Sequence, residues 1–187
     1  MKKIRTFVAL KIPSKLEAAF EDLISELRQF ESDVKWVKPA SIHITLKFLG
    51  EITAEEVEAV CDGVASGVKG MSKFNLKTES KGAFPSINRP RVFWVGLHSE
   101  NKEKLLQLQK SIEAELEERG FPKEKRAFKP HLTIGRVRSP RGIHSVSKVF
   151  SDYQSPEIEI PVETVLVMKS ELTRQGAIYT VQKSFGL

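Results

Sequence analysis

Cysteine is nearly absent from this chain: one residue, Cys61, in 187. A single thiol excludes an intrachain disulfide and a cysteine-rich zinc module. Long apolar runs are missing too. The basic start, Met1-Lys2-Lys3-Ile4-Arg5-Thr6-Phe7, leads into an apolar stretch that ends at Leu10, before Lys11. That is too short for a signal peptide or a membrane span, so a cytoplasmic protein without a membrane partner is expected. The chain has no Gly-x-Ser-x-Gly, no glycine-rich phosphate loop ending in Lys-Ser/Thr, and no dinucleotide fingerprint. Histidine is also scarce, with four in all, and two of them hold most of the information.

Those two sit in copies of one short pattern, 88 residues apart: His43-Ile44-Thr45-Leu46 and His131-Leu132-Thr133-Ile134. Strand alternation puts His43, Thr45 and Lys47 on one face, with Ile44, Leu46 and Phe48 on the other. His131 and Thr133 likewise oppose Leu132 and Ile134. A face carrying an imidazole beside a hydroxyl is poor core material. Two such faces brought together offer two proton carriers and two hydrogen-bond donors around one small anion.

The remaining composition is that of a globular protein, 40% apolar and 29% charged. A chain of this length buries roughly 70% of its unfolded surface as one domain or two small lobes. Net charge is +6, and residues 119–141 hold eight Lys/Arg against one acid, Glu124. That window brackets the second motif, and a basic surface around a site favours a polyanionic partner.

A strand over 5–12 precedes a helix with Ser14 as N-cap and Glu17 as capping-box partner. Its apolar stripe runs through Leu16, Phe20, Leu23 and Leu27. The first motif strand spans 42–49, and a second helix starts at Thr53 with Glu56 completing its capping box. That helix carries Val57, Val60, Cys61 and Val64 on one stripe, which makes Cys61 a core thiol. A weak strand over 74–81, a loop over 82–90 and a strand over 91–97 follow, then a helix over 101–119 stopped by Gly120. Beyond Arg141 come a short helix and two strands, 161–170 and 177–185, joined as a hairpin through 171–176.

The halves repeat. Each has a strand, an amphipathic helix, a Lys-Pro (Lys38-Pro39, Lys129-Pro130) and then His-x-Thr. Phe7 to His43 is 36 residues and Phe93 to His131 is 38. Fixed order at near-fixed spacing marks a duplicated unit. The predicted fold is α+β: a single domain over 1–187 made of two pseudo-symmetric lobes with interleaved termini. Two antiparallel sheets line a central cleft, with helices on the outside.

Two histidines and two hydroxyls facing one cleft suit phosphodiester chemistry. One imidazole takes a proton from water, and the other gives one to the leaving oxygen. Threonine hydroxyls and nearby cations stabilise the phosphate oxygens. A zinc site wants a third ligand; neither motif has an acid on its histidine face, and His98 and His144 sit outside ligand spacing, as surface residues. No metal and no cofactor is expected. Lys47 reads either as a solvated charge or as a phosphate contact. Arg136 falls on the Leu132/Ile134 side under strict alternation, and reaches a ligand only if the strand twists or ends there. Phe84 either stacks on a base or pins its own loop. Arg89 and Arg91 are plausible substrate-side charges.

Ser41-Ile42-His43-Ile44-Thr45-Leu46-Lys47-Phe48-Leu49-Gly50 and Lys129-Pro130-His131-Leu132-Thr133-Ile134-Gly135-Arg136 closely resemble the two signatures of the two-histidine phosphoesterases. Within them the chain is similar to the LigT-type branch of RNA 2′,3′-cyclic phosphodiesterases, once called 2′-5′ RNA ligases. Arg5-Thr6-Phe7-Val8-Ala9-Leu10, Gly82-Ala83-Phe84-Pro85 and Val92-Phe93-Trp94-Val95-Gly96-Leu97 fit that branch as well. The resemblance implies a bilobal fold and metal-independent opening of a 2′,3′-cyclic phosphate to a 2′-phosphate. It makes His43 the acid, His131 the base, and Thr45, Thr133 and Arg136 phosphate-binding residues. It also allows 2′-5′ joining in reverse. The implied partner is RNA with a cyclic phosphate end, tRNA fragments among them, acted on by a monomer. Two alternatives stay open: an esterase for small cyclic nucleotides or ADP-ribose cyclic phosphate, and a non-catalytic nucleotide- or RNA-binding module.

Overall fold

The structure, a computed structural model, describes residues 3–98, 100–174 and 176–187. Met1 and Lys2 of the basic start and Gln175 of the expected hairpin turn lie outside the described residues. In chain order the elements are β1 (Ile4–Lys11), α1 (Ser14–Arg28), β2 (Val34–Trp36), a short 3₁₀ turn (Pro39–Ser41), β3 (His43–Ile52), α2 (Ala54–Gly67), β4 (Phe74–Ser86), β5 (Arg89–Leu97), α3 (Lys102–Glu118), β6 (Leu132–Val137), α4 (Ile143–Asp152), β7 (Glu159–Val162), β8 (Thr164–Thr173) and β9 (Gly176–Gly186). The strands form one curled antiparallel path of order β7-β4-β5-β6-β3-β1-β8-β9, with β2 added on β6. The α+β class and the helix-backed cleft agree with the sequence. The two expected sheets are the two halves of this path, joined through a single residue pair, Ile44 with Leu132. Each motif strand therefore lies at the seam, and the two motifs are neighbours.

Alternation explains which side of the sheet packs. Val8, Leu10, Ile44, Leu46, Leu132 and Ile134 are all buried and belong to one core cluster with Leu16, Leu23 and Leu27 of α1 and Val60 and Val64 of α2. Leu105, Leu108, Ile112 and Leu116 complete it from α3, on the stripe that the periodicity predicts. Cys61 is buried within α2, as expected of a core thiol. The capping box of α2 forms: Glu56 N–H donates to Thr53 Oγ1 at 3.2 Å and Thr53 N–H to Glu56 Oε2 at 2.6 Å. The one predicted for α1 does not. Ser14 is already helical, Pro13 occupies the N-cap position, and no side chain caps the turn.

Residues 82–90, expected as a loop, are mostly strand. β4 runs on to Ser86, and β5 starts at Arg89 as its antiparallel partner, which leaves only Ile87-Asn88 as the turn. Pairing outweighs the two prolines because Pro85 and Pro90 sit opposite each other beside a register shift, where no ladder donor is required.

Two further register shifts decide where functional side chains point. In β3, Ala9 pairs with Thr45 and Val8 with Lys47, so Leu46 is an extra residue, a β-bulge. In β6, Phe93 pairs with Gly135 and Trp94 with Thr133, so Ile134 is an extra residue at the matching place. Each bulge turns two successive residues toward the core, Leu46 and Lys47 in β3 and Ile134 and Gly135 in β6, and returns the strand to the opposite face one residue later than strict alternation allows.

Candidate active site

The seam opens into a cleft of about 630 Å³ lined by His43 and Thr45 from β3, by His131, and by Thr133 and Arg136 from β6. The structure thus brings five of the seven predicted site residues to one cavity. Both imidazoles are held in the same way. His43 Nδ1 donates to the Ser41 carbonyl at 2.9 Å, and His131 Nδ1 to the Lys129 carbonyl at 2.7 Å. A carbonyl only accepts, so each Nδ1 carries the proton, and each neutral ring keeps a free lone pair on Nε2. The two rings are thereby set as a matched pair able to take or give a proton at Nε2.

Their surroundings differ. His43 lies on Phe7, ring centroids 4.8 Å apart and 30° between planes, and meets the edge of Tyr179 at 5.2 Å. Burial in this aromatic nest lowers its pKa from 6.5. The hydrogen bond to Ser41 opposes that shift, while the charges of Arg136 and His131 add to it. His43 is therefore biased toward the neutral form. His131 meets Phe84 edge-on at 5.2 Å, and Phe84 stacks in turn on Trp94 at 5.2 Å.

Arg136 reaches the cleft because of the Ile134 bulge. Strict alternation would have put it on the core side; with one residue extra, Ile134 and Gly135 are buried and Arg136 emerges beside Thr133. Gly135 is required here, since a Cβ would lie 2.6 Å from Trp36 Cε3, where the Trp36 ring stacks on Phe93 at 5.9 Å.

The same device in β3 overturns the reading of Lys47 as a substrate contact. The bulge at Leu46 turns Lys47 away from the cleft into the core, where it is 7% exposed. There its ammonium donates to Glu113 Oε1 of α3 at 2.9 Å and to the Pro122 carbonyl at 2.8 Å. Phe48, assigned to the apolar face by alternation, lines the cleft instead, with the Arg5 guanidinium 4.5 Å from its ring centroid. The two motifs therefore share a longer form, His-x-Thr-x-x-Z, in which Z is Phe48 in one and Arg136 in the other. Phe84 is half-buried between Trp94 and His131 and is absent from the cleft lining, the position of a residue that pins its strand and the histidine. Arg89 and Arg91 are exposed and outside the lining. His98 is half-exposed, 3.6 Å from Glu79, and His144 is exposed.

Sequence reasoning missed the floor and walls of the cleft: Arg5, Phe7, Lys35, Lys38, Ser170 and Tyr179. Arg5 left one signal, a lone charge heading an apolar strand; Tyr179 left none, since its role depends on β9 folding back along β8, which itself pairs with β1. The lining holds Arg5, Lys35, Lys38 and Arg136 and no Asp or Glu, so the cavity is cationic. Among the described residues no three His, Cys, Asp or Glu side chains converge as a metal-ligand set. None of the described helices is long and apolar enough to cross a membrane.

Comparison with known proteins agrees with this geometry. A family model described as LigT like phosphoesterase matches twice, over residues 10–94 and 95–179. The RNA 2′,3′-cyclic phosphodiesterase of Methanothermobacter thermautotrophicus is 32% identical, covering 99% of this chain and 100% of its own. That of Aquifex aeolicus is 33% identical over 100% of this chain and 99% of its own. Among solved structures, the TT0787 protein of Thermus thermophilus superposes with a TM-score of 0.78 at 28% identity, covering 98% and 97%. Escherichia coli LigT complexed with 3′-AMP has the same fold, with a TM-score of 0.74 at 23% identity over 99% and 98%. With nearly its whole length matched by the family model, and with relatives this similar end to end, the chain belongs to the LigT-like phosphoesterases.

Proposed function

We propose that this protein is a hydrolase that opens the 2′,3′-cyclic phosphate at the end of an RNA, with His43 and His131 as the acid–base pair. The observation that carries the reading is the matched fixing of the two imidazoles, each with Nδ1–H on a backbone carbonyl and Nε2 free, beside Thr45, Thr133 and Arg136. In this reading water attacks phosphorus and gives its proton to His131 Nε2. The bond to the 3′ oxygen breaks, and that oxygen takes a proton from His43 Nε2. A 2′-phosphate remains and the two histidines have exchanged protonation states. Arg136 and the two threonine hydroxyls balance the charge that builds on the nonbridging oxygens.

His43 must be protonated to serve as the acid, against the bias of its surroundings. A bound phosphodiester supplies the missing condition: its negative charge offsets Arg136 and favours the imidazolium. With an RNA 5′-hydroxyl in place of water, the same proton transfers make a 2′-5′ linkage. One chain supplies both motifs, so a monomer suffices. The tandem matches of the family model support reading residues 1–187 as one domain built on a duplicated unit.

The test is incubation of a short RNA ending in a 2′,3′-cyclic phosphate with the protein in excess chelator, with the terminal phosphate identified. Conversion to the 2′-phosphate is expected. A 3′-phosphate product, or no product, contradicts the proposal.

A further inference from the structure

The cleft's cations are unevenly placed. Lys35 and Arg136 are direct partners across the β2–β6 ladder, both line the cleft, and Lys38 continues the same wall. Like charges directly opposite each other on neighbouring strands destabilise a sheet. Among the described residues no carboxylate lies within ion-pair distance of Lys35, Lys38 or Arg136 to relieve this. Three other cations of the basic 119–141 stretch do have carboxylate partners: Arg119 with Glu115, Lys123 with Glu117 and Arg141 with Glu31. The opposite side holds one cation, Arg5 of β1, which pairs with Ser170 of β8 and has its guanidinium 4.5 Å from the Phe48 ring centroid; β8 and β9 themselves line the cleft with Ser170, Leu172, Ala177 and Tyr179 and no charge.

The frame around Lys35 is rigid. Val37 N–H donates to the Ile134 carbonyl at 2.8 Å, Arg138 N–H to the Asp33 carbonyl at 2.8 Å, and the Trp36 ring is locked over Gly135. The backbone that carries Lys35 is therefore fixed opposite Arg136. With Arg136 on the reacting phosphate, the Lys35 ammonium beside it is left to meet a second anion.

We propose that Lys35, opposite Arg136 and with Lys38 beyond it, forms a second phosphate subsite for the internucleotide phosphate on the 5′ side of the terminal nucleotide. The RNA body then leaves the site along the β2–β6 wall rather than over β8 and β9. This deepens the functional reading above and rests on it. Recognition of a second phosphate separates an oligonucleotide end from a cyclic mononucleotide.

The experiment has two readouts on wild type, Lys35→Ala and Lys35→Arg. One is kcat/KM for a nucleoside 2′,3′-cyclic phosphate with a free 5′-hydroxyl, for the dinucleotide with the same end, and for a hexanucleotide. The other is calorimetric binding of a nucleoside 2′-phosphate and of the dinucleotide ending in a 2′-phosphate, which needs no turnover. Wild type is expected to prefer the dinucleotide over the mononucleotide in both. Lys35→Ala reduces that preference roughly tenfold, the worth of one charge-assisted contact, and Lys35→Arg restores most of it. The salt slope of log kcat/KM for the hexanucleotide falls by about 0.7 in Lys35→Ala, one phosphate contact on a single strand. An unchanged preference, or an equal loss on both ligands, overturns the subsite. Absence of turnover in wild type with the dinucleotide binding preference intact overturns the functional reading and leaves the subsite standing.

Discussion

Replacing Lys47 with methionine separates two accounts of that residue, as a phosphate ligand or as a buried ion-pair partner. Methionine keeps most of the stem and removes the ammonium. What is left behind is the Glu113 carboxylate, whose side chain is 14% exposed, and a Pro122 carbonyl without its donor. Breaking a buried pair from one side costs about 3–5 kcal/mol. Glu113 keeps its bonds from Glu124 N–H and Gln109, both at 2.8 Å, which places the loss near the lower end, about 3 kcal/mol. For a chain of this size that corresponds to a melting temperature lower by about 6–12 °C. The pH dependence carries the sign. Burial pushes the Glu113 carboxyl up, but hydrogen bonds from Glu124, Lys47 and Gln109, with the Lys47 charge, outweigh it and hold the group below its ordinary value. Such a group stabilises the fold above the unfolded carboxylate value, and that stabilisation is lost as pH falls through the lowered one. Lys47→Met removes part of that hold, so the gap between variant and wild type is widest at pH 7 and narrows on acidification. Urea unfolding at pH 7 and at pH 4 measures it. A loss under about 1 kcal/mol at pH 7, or a gap that widens at low pH, refutes the buried-pair account. A raised KM with unchanged stability would restore Lys47 to the substrate.

Gly135→Ala is expected to push the Trp36 ring off Phe93, because the new methyl would sit 2.6 Å from Trp36 Cε3. The cost is about 1–3 kcal/mol, read as a lower melting temperature with altered tryptophan emission; no change in either contradicts the packing. NMR titration of His43 is expected to give a pKa below 6.5 in the free protein, raised in Arg136→Met and raised again by saturating inorganic phosphate. A value above 6.5 in the free protein, or no response to Arg136→Met, contradicts the electrostatic description. Phe7→Ala removes the ring beneath His43, itself 3% exposed, and is expected to cost about 3–5 kcal/mol. It should also raise the His43 pKa as water enters; an unchanged titration would mean that burial is not its cause.

Much of the fold could be read from periodicity. The helix stripes through Leu16–Leu27 and Leu105–Leu116 and the paired His-x-Thr strands are local patterns, and the structure buries or exposes them accordingly. The site's second rank was not legible, for one physical cause. A β-bulge is a property of the pairing between two strands, not of either sequence, and two bulges at Leu46 and Ile134 exchange the faces of Lys47, Phe48 and Arg136. Alternation counted correctly through Leu46 and Ile134 and failed at the next residue in both strands, Lys47 and Gly135. Tyr179 and Lys35 were hidden for a related reason. Lys35 reaches the cleft only because β2 pairs with β6, far along the chain, and Tyr179 only because β9 follows β8 to the edge of the sheet beyond β1.

Cooperation between the two histidines is measured by single-turnover hydrolysis of a cyclic-phosphate-ended RNA by wild type, His43→Ala and His131→Ala, with melting temperatures recorded alongside. Each variant is expected to stay folded, bind the RNA, and lose at least about 10²-fold in rate. A variant that stays folded and turns over within a few-fold of wild type would contradict it, because one imidazole would then be doing without the other.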